Sequence, residues 1–148
     1  TASSSQPVFG AQNVLDGVAR SRHGSSHQWR SKSLNPDDCR LELDFGEPKK
    51  ISRVHLCFDT GLNRGLTLTH EDRHNDTMIA GPQPETVKDY RLEVFADGSW
   101  STVAQVAGNY QRLRVHEFSS LPASKLRLSV TATNGVNQAR VFEVRAYA

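Results

Sequence analysis

Apolar and polar residues alternate along most of this chain with a period of two. Leu41, Leu43 and Phe45 are interleaved with Arg40, Glu42 and Asp44, the pattern of a strand with one face on a core and the other in water. Gly46-Glu47-Pro48-Lys49 predicts a turn, because Gly and Pro interrupt strand ladders. Val54, Leu56 and Phe58 then resume the alternation. Tyr90, Leu92 and Val94 alternate with Arg91, Glu93 and Phe95, and residues 102–106 form a short strand. Leu113, Val115 and a final Phe118 are set against Arg112, Arg114 and His116. Leu126, Leu128 and Val130 are set against Lys125, Arg127 and Ser129, and residues 140–147 make the closing strand. No segment keeps a helical period. About seven short strands separated by turn signals predict an all-β fold, an antiparallel β-sandwich. Its predicted core includes Leu43, Phe58, Leu92, Val115, Leu128 and Val144.

Successive antiparallel strands leave a sandwich at alternate ends. The turns at 46–50, 96–100 and 119–124 are therefore predicted at one end. The loops 17–38, 60–87, 107–112 and 133–139 are predicted at the other. Two of these are long and carry few periodic apolar residues, and long structureless loops within a domain are usually functional or disordered. This gathering of irregular chain is the main functional signal of the pattern.

Composition narrows the reading only slightly. A chain of 148 residues suits one domain, residues 1–148, and its net charge of +2 is too small to predict a nucleic-acid partner. No stretch approaches the ~20 apolar residues of a membrane-spanning helix. The start at Thr1, without Met or signal peptide, predicts an excised module or mature product. Cys39 and Cys57 are too few for a disulfide framework. They fall roughly opposite each other about the turn at 46–50, but on different faces, which leaves their pairing open.

Candidate chemistry is sparse. His23 and His27 are four apart, as are His70 and His74, but neither pair lies in a helical pattern that would aim both rings at one zinc ion. Asp59, Asp72 and Asp76 could supply a glycosidase-like carboxylate pair. The chain has no nucleophile elbow, phosphate-binding Gly loop or dinucleotide fingerprint, and a non-catalytic domain is predicted. Arg112, Arg114, His116, Lys125 and Arg127 are predicted on an outward basic face. Glu42, Asp44 and Glu93 share that exposure, so cross-strand ion pairs account for it.

Several motifs carry a family resemblance. Asn13-Val14-Leu15-Asp16-Gly17, Trp29-Arg30-Ser31, Leu41-Glu42-Leu43-Asp44-Phe45-Gly46 and Ile51-Ser52-Arg53-Val54 resemble the opening half of a discoidin, or coagulation-factor 5/8 type C, domain. Tyr90-Arg91-Leu92-Glu93-Val94, Asp97-Gly98-Ser99-Trp100, Leu126-Arg127-Leu128 and Phe142-Glu143-Val144-Arg145-Ala146-Tyr147 resemble its second half. The resemblance implies a galactose-binding-like jelly roll, a fold that includes many carbohydrate-binding modules. It implies a carbohydrate partner and a parent catalytic domain, as part of a secreted bacterial carbohydrate-active enzyme working outside the cell or in the periplasm. Discoidin-type adhesion to protein or anionic lipid is an alternative, with Leu66, Leu68, Met78 and Ile79 as the available apolar spikes. A structural accessory domain is another. By family position, Asp16 and Glu143 are candidate ligands of a structural Ca²⁺, although Val18, Ala19, Arg20 and Ser21 depart from the family pattern. Trp29 is expected to be buried below the first loop and Trp100 to cap the core at the turn end.

Within the long loops, His23, His27, Arg64, His70, Arg73, His74, Asp76, Tyr110, Arg112, Asn134 and Asn137 offer donors and acceptors suited to sugar hydroxyls. Tyr110 is the expected stacking ring. Arg112 is the expected anchor, since a guanidinium fork spans two neighbouring oxygens.

Overall fold

The computed structural model describes residues 1–148 except His23, Asn63 and Leu66. A 3-10 helix, Ala11–Leu15, precedes six strands: β1 (Trp29–Arg30), β2 (Arg40–Phe58), β3 (Val87–Ala96), β4 (Ser99–Val106), β5 (Leu113–Thr133) and β6 (Arg140–Tyr147). A short helix α1, Asp72–Asn75, lies in the long loop between β2 and β3. The strands are antiparallel in the order β1-β6-β2-β5-β3-β4. The all-β expectation holds.

Two predicted turns prove to be bends inside strands. Residues 46–50 belong to β2 and 119–124 to β5. The ladder between them jumps from Asp44 opposite Lys125 to Lys49 opposite Ala123, so the chain bulges on the β2 side. Gly46 sits there at φ 76°, a backbone state that L side chains rarely adopt. The β2–β5 ribbon serves two layers in consequence. Its outer half, Arg40–Asp44 with Lys125–Ser129, continues into β3 and β4; its other half, Arg53–Cys57 with Leu113–Glu117, continues into β6 and β1. Apolar faces of both layers share one core, seen where the Phe58 ring meets Tyr90 edge-on at 5.2 Å. At the bends, Pro48 and Pro122 come together with Phe95 and the Asp97-Gly98 turn, which places all three predicted turns at one end.

The core expectation holds for Phe58, Leu92, Leu128 and Val144, each at most 2% exposed, and Leu43 is partly buried against them. Val115 is a correction: it is 45% exposed, and Leu113 is 57% exposed. Register is the reason. Val54 pairs with His116 and Leu56 with Arg114, and Val54 and Leu56 are wholly buried. Directly paired residues share a face, so His116 and Arg114 look inward and Val115 outward. The predicted outward basic face is therefore split. Arg112, Arg114 and His116 are half-buried, while Lys125 meets Asp44 and Arg127 meets Glu42 across the strands, as the ion-pair reading expects. The Arg127 guanidinium also lies 3.7 Å over Trp100, which packs against Phe95 on that outer face. Cys39 and Cys57 are both buried and free, on different strand partners: Cys57 opposite Leu113 and Glu143, Cys39 beside Val130.

The inward His116 makes a prediction. Its Nε2 lies 2.8 Å from the Tyr90 hydroxyl. Burial, with the Arg114 charge, holds the imidazole pKa below the usual histidine value; burial pushes the Tyr90 phenol up to about 12. The two groups share one hydrogen bond, whose direction follows the imidazole tautomer. A folded pKa below the unfolded one means that the unfolded chain takes up the proton first. The associated stability is complete above the unfolded value of about 6.5 and is lost as pH falls from there through the folded value. In thermal melts, His116→Gln should lose less stability than the parent chain as pH falls below about 6.5. Parallel losses would remove His116 from the pH response.

Candidate functional site

The site is built where the strands end. Trp29 and Arg30 form β1, directly opposite Val141 and Arg140 of β6. Trp29 is fully buried, and its Nε1 donates to the Ser4 carbonyl at 2.8 Å, as its family position implies. Side chains alternate along a strand, so Arg30 must face away from Trp29. Its register partner Arg140 then lies beside it. Like charges directly opposite in a ladder are destabilising, and here neither is neutralised well. The Arg140 guanidinium reaches Asp59 only at 3.7 Å. Among the described residues, no carboxylate stands within ion-pair distance of Arg30, whose guanidinium lies 3.9 Å over the Phe9 ring. Burial and then the Arg140 charge depress the Arg30 pKa, with Asp59 and Glu85 opposing.

These two arginines line a cleft of about 780 Å³ together with Arg20, Ser21, Gln28, Asp59, Leu62, Glu85 and Phe142. Asp59 directly follows β2 and is 5% exposed. Its Oδ1 accepts the Gly61 N–H at 2.9 Å. Gly61 has φ 64°, and a Cβ there would collide with the Arg64 guanidinium. Arg64 itself makes a two-pronged pair with Glu85, at 2.5 and 2.6 Å, and a bond to Gln83 at 2.8 Å. Those bonds hold the Glu85 carboxyl below the usual carboxylate range. The cleft also contains buried polar atoms without a protein partner: Gln28 Oε1, Arg30 Nε and Arg140 Nε. Such groups are costly to leave unsatisfied, although Arg53 and Arg64 carry an unpartnered Nε outside the cleft as well.

The long loops do converge on this end. Arg112 donates to the carbonyls of Phe58 and Ala19, and Asn134 donates to those of Thr86 and Asn109. Those same bonds occupy the two side chains. The Arg112 guanidinium is further stacked 5.1 Å from Phe142, so it braces the cleft wall. Asn137 Oδ1 accepts the Leu34 N–H at 3.3 Å. Tyr110 is 64% exposed and does not line the cleft. His70, Arg73 and Asp76 are exposed and His74 half-buried in or beside α1, also outside its lining. His23 lies outside the described residues. Among the described residues, the predicted ligands that approach the cleft are Arg64, through Glu85, and Arg112, against Phe142.

The sequence reading passed over Arg20, Gln28, Arg30, Glu85 and Arg140, and weighed Asp59 only as an acid. A signal for Arg30 existed in its place after a buried Trp on a strand. Arg140 had none, since only register sets it opposite Arg30.

The calcium candidates fit a metal incompletely. Asp16 Oδ1 accepts the Val18 N–H at 2.8 Å, and its Oδ2 lies 2.7 Å from His27 Nδ1. Glu143 pairs with Arg145. Among the described residues, no group of three or more His, Cys, Asp or Glu side chains gathers around a common point.

No family model matches the sequence, and no curated protein matches it. Solved structures do match. The family 32 module of Clostridium perfringens NanJ, in complex with galactose, superposes with a TM-score of 0.70 at 18% identity, covering 100% of this chain and 91% of that one. The fold is that of the family 32 carbohydrate-binding modules. Chitosan-binding module 1 of a Paenibacillus sp. IK-5 chitosanase/glucanase gives 0.71 at 18% identity, covering 100% and 92% of the two chains. The family 32 module of Streptococcus pneumoniae EndoD gives 0.67 at 20%, covering 97% and 88%. This confirms the galactose-binding-like sandwich implied by the discoidin resemblance. The same fold spans 26% of a longer chain, SpGH29. Among the described residues, no helix is long and apolar enough to cross a membrane.

Proposed function

We propose that this chain is a non-catalytic carbohydrate-binding module that receives a sugar in the Arg30–Arg140 cleft. The observation that carries this reading is the cleft's own chemistry: buried Gln28 Oε1 and two arginine Nε atoms without partners, beside the apolar Leu62 and Phe142. Sugar sites need a few fixed polar groups and an apolar plate, because each hydroxyl must exchange water for an equally good partner. The likeness to modules solved with galactose and with GalNAc-containing sugars supports it. The module works as part of a larger secreted bacterial carbohydrate-active enzyme, outside the cell or in the periplasm. Supporting that setting are the likenesses to modules of a chitosanase/glucanase and a family 31 glycoside hydrolase.

A glycan array on the chain, followed by titration calorimetry on the best binder, tests the reading. Arg30→Ala should abolish binding and Tyr110→Ala should leave it unchanged. The reverse result would move the site to the exposed Tyr110. Leu62, Leu68 and Ile79 are exposed on the 60–87 loop, the one observation that favours lipid adhesion instead. Binding to anionic vesicles with no glycan signal would establish that alternative.

A structural Ca²⁺ at Asp16 and Glu143 is a separate proposal, supported by the family positions of both residues. A metal held only by the native state stabilises it by mass action. Chelator should therefore lower the melting temperature, and Asp16→Ala should remove the sensitivity. An unchanged melting temperature would leave the two carboxylates with only the protein partners described above.

A further inference from the structure

The cleft holds three guanidiniums, Arg20, Arg30 and Arg140, against Asp59, because Glu85 is taken up by Arg64. Arg30 and Arg140 are register partners on adjacent strands, a like-charge arrangement that costs stability and that is offset within the cleft chiefly by Asp59, 3.7 Å from Arg140. Their Nε atoms are buried without partners, next to the unpartnered Oε1 of Gln28, a residue only 1% exposed. A neutral sugar satisfies hydroxyl-sized needs but leaves this excess charge in place. A negatively charged group between two half-buried guanidiniums gains charge-assisted hydrogen bonds and relieves the repulsion between them.

We propose that the cleft selects an acidic sugar, with one carboxylate or sulfate seated between Arg30 and Arg140. This rests on the carbohydrate-binding reading above and narrows its ligand class. Planar carboxylate matches the arginine fork, and a tetrahedral sulfate presents three oxygens to the same donors. Both sources share the required chemistry. Asp59 sits on the side of Arg140 and repels a second anionic group, so a single charge is favoured over a doubly charged unit.

The test titrates the intact chain with galacturonate and glucuronate, with their methyl esters, and with galactose 6-sulfate against galactose. The acidic form should bind roughly tenfold or more tightly than its neutral counterpart, and the difference should shrink as salt is raised. The carboxylate and sulfate arms show which anion the fork prefers. Arg30→Gln and Arg140→Gln should each remove the preference for acid. Arg30→Gln should not lower the melting temperature, since it removes a like-charge contact; a purely structural Arg30 would lower it. Arg140→Gln also takes the ion pair from the buried Asp59, so its readout is the acid preference alone. Equal affinity for acid and ester, or a preference that survives both substitutions, overturns the proposal while leaving the module reading intact. Binding to none of these sugars, acidic or neutral, together with a blank glycan array, overturns both.

Discussion

Trp29→Ala should cost about 3–5 kcal/mol of folding stability, the range for truncating a fully buried tryptophan. Trp29 is 0% exposed and is among the largest buried side chains of the core. It also joins the short strand β1 to β6 and ties it to the N-terminal segment through Ser4. Removing the indole opens a cavity and strands the Ser4 carbonyl. Urea denaturation followed by circular dichroism measures the loss. Trp29→Phe keeps most of the volume and should cost only about 1–2 kcal/mol, chiefly the lost hydrogen bond. The alanine variant should also weaken ligand binding, because Arg30 is the next residue on the same two-residue strand. A stability loss below about 1 kcal/mol for the alanine variant would show that the loop end is not anchored through Trp29.

The second large effect is at Arg64, predicted from sequence as a sugar ligand and found holding Glu85. Arg64→Ala leaves the Glu85 carboxylate, whose side chain is 10% exposed, without its two-pronged partner. Removing one member of a buried hydrogen-bonded pair is far more damaging than removing both, since the remaining charge stays desolvated. The expected loss is about 3 kcal/mol. The double variant Arg64→Met with Glu85→Leu should recover most of it. Stability that is additive over the two sites would mean that the pair is not coupled. Arg64 then acts on binding indirectly, by shaping the cleft wall at Glu85 and the Asp59–Gly61 turn. A ligand role for Arg64 predicts the opposite: binding lost with the melting temperature intact.

Period-two alternation made the strands, the all-β class and the gathering of long loops at one end legible, and the motif order made the sandwich family legible. Those features are local or depend on strand count, and backbone geometry alone imposes them. Much of the site was not legible. Sequence alone cannot distinguish a polar side chain that meets a ligand from one that satisfies the fold's own carbonyls. Arg112 and Asn134 looked like sugar ligands, and in the structure both donate to backbone carbonyls, while Asn137 accepts one backbone N–H through its Oδ1.

Strand parity shows the same division more sharply. Phe118 has the parity of His116 and not of Val115, so the pattern along β5 already carried two incompatible choices of inward face. Hydrophobicity favoured Leu113 and Val115. The ladder to Val54 and Leu56 chose Arg114 and His116 instead. Alternation specifies which residues of one strand share a face. Register between strands specifies which face is covered, and it depends on bulges such as the one at Gly46 and on partners far along the chain. By itself, then, the sequence determined the sandwich and the end at which its loops meet. Tertiary structure alone decided that Arg30 and Arg140 stand side by side there, because they are 110 residues apart in the chain (140 − 30) and only the β1–β6 pairing brings their charges into one cleft.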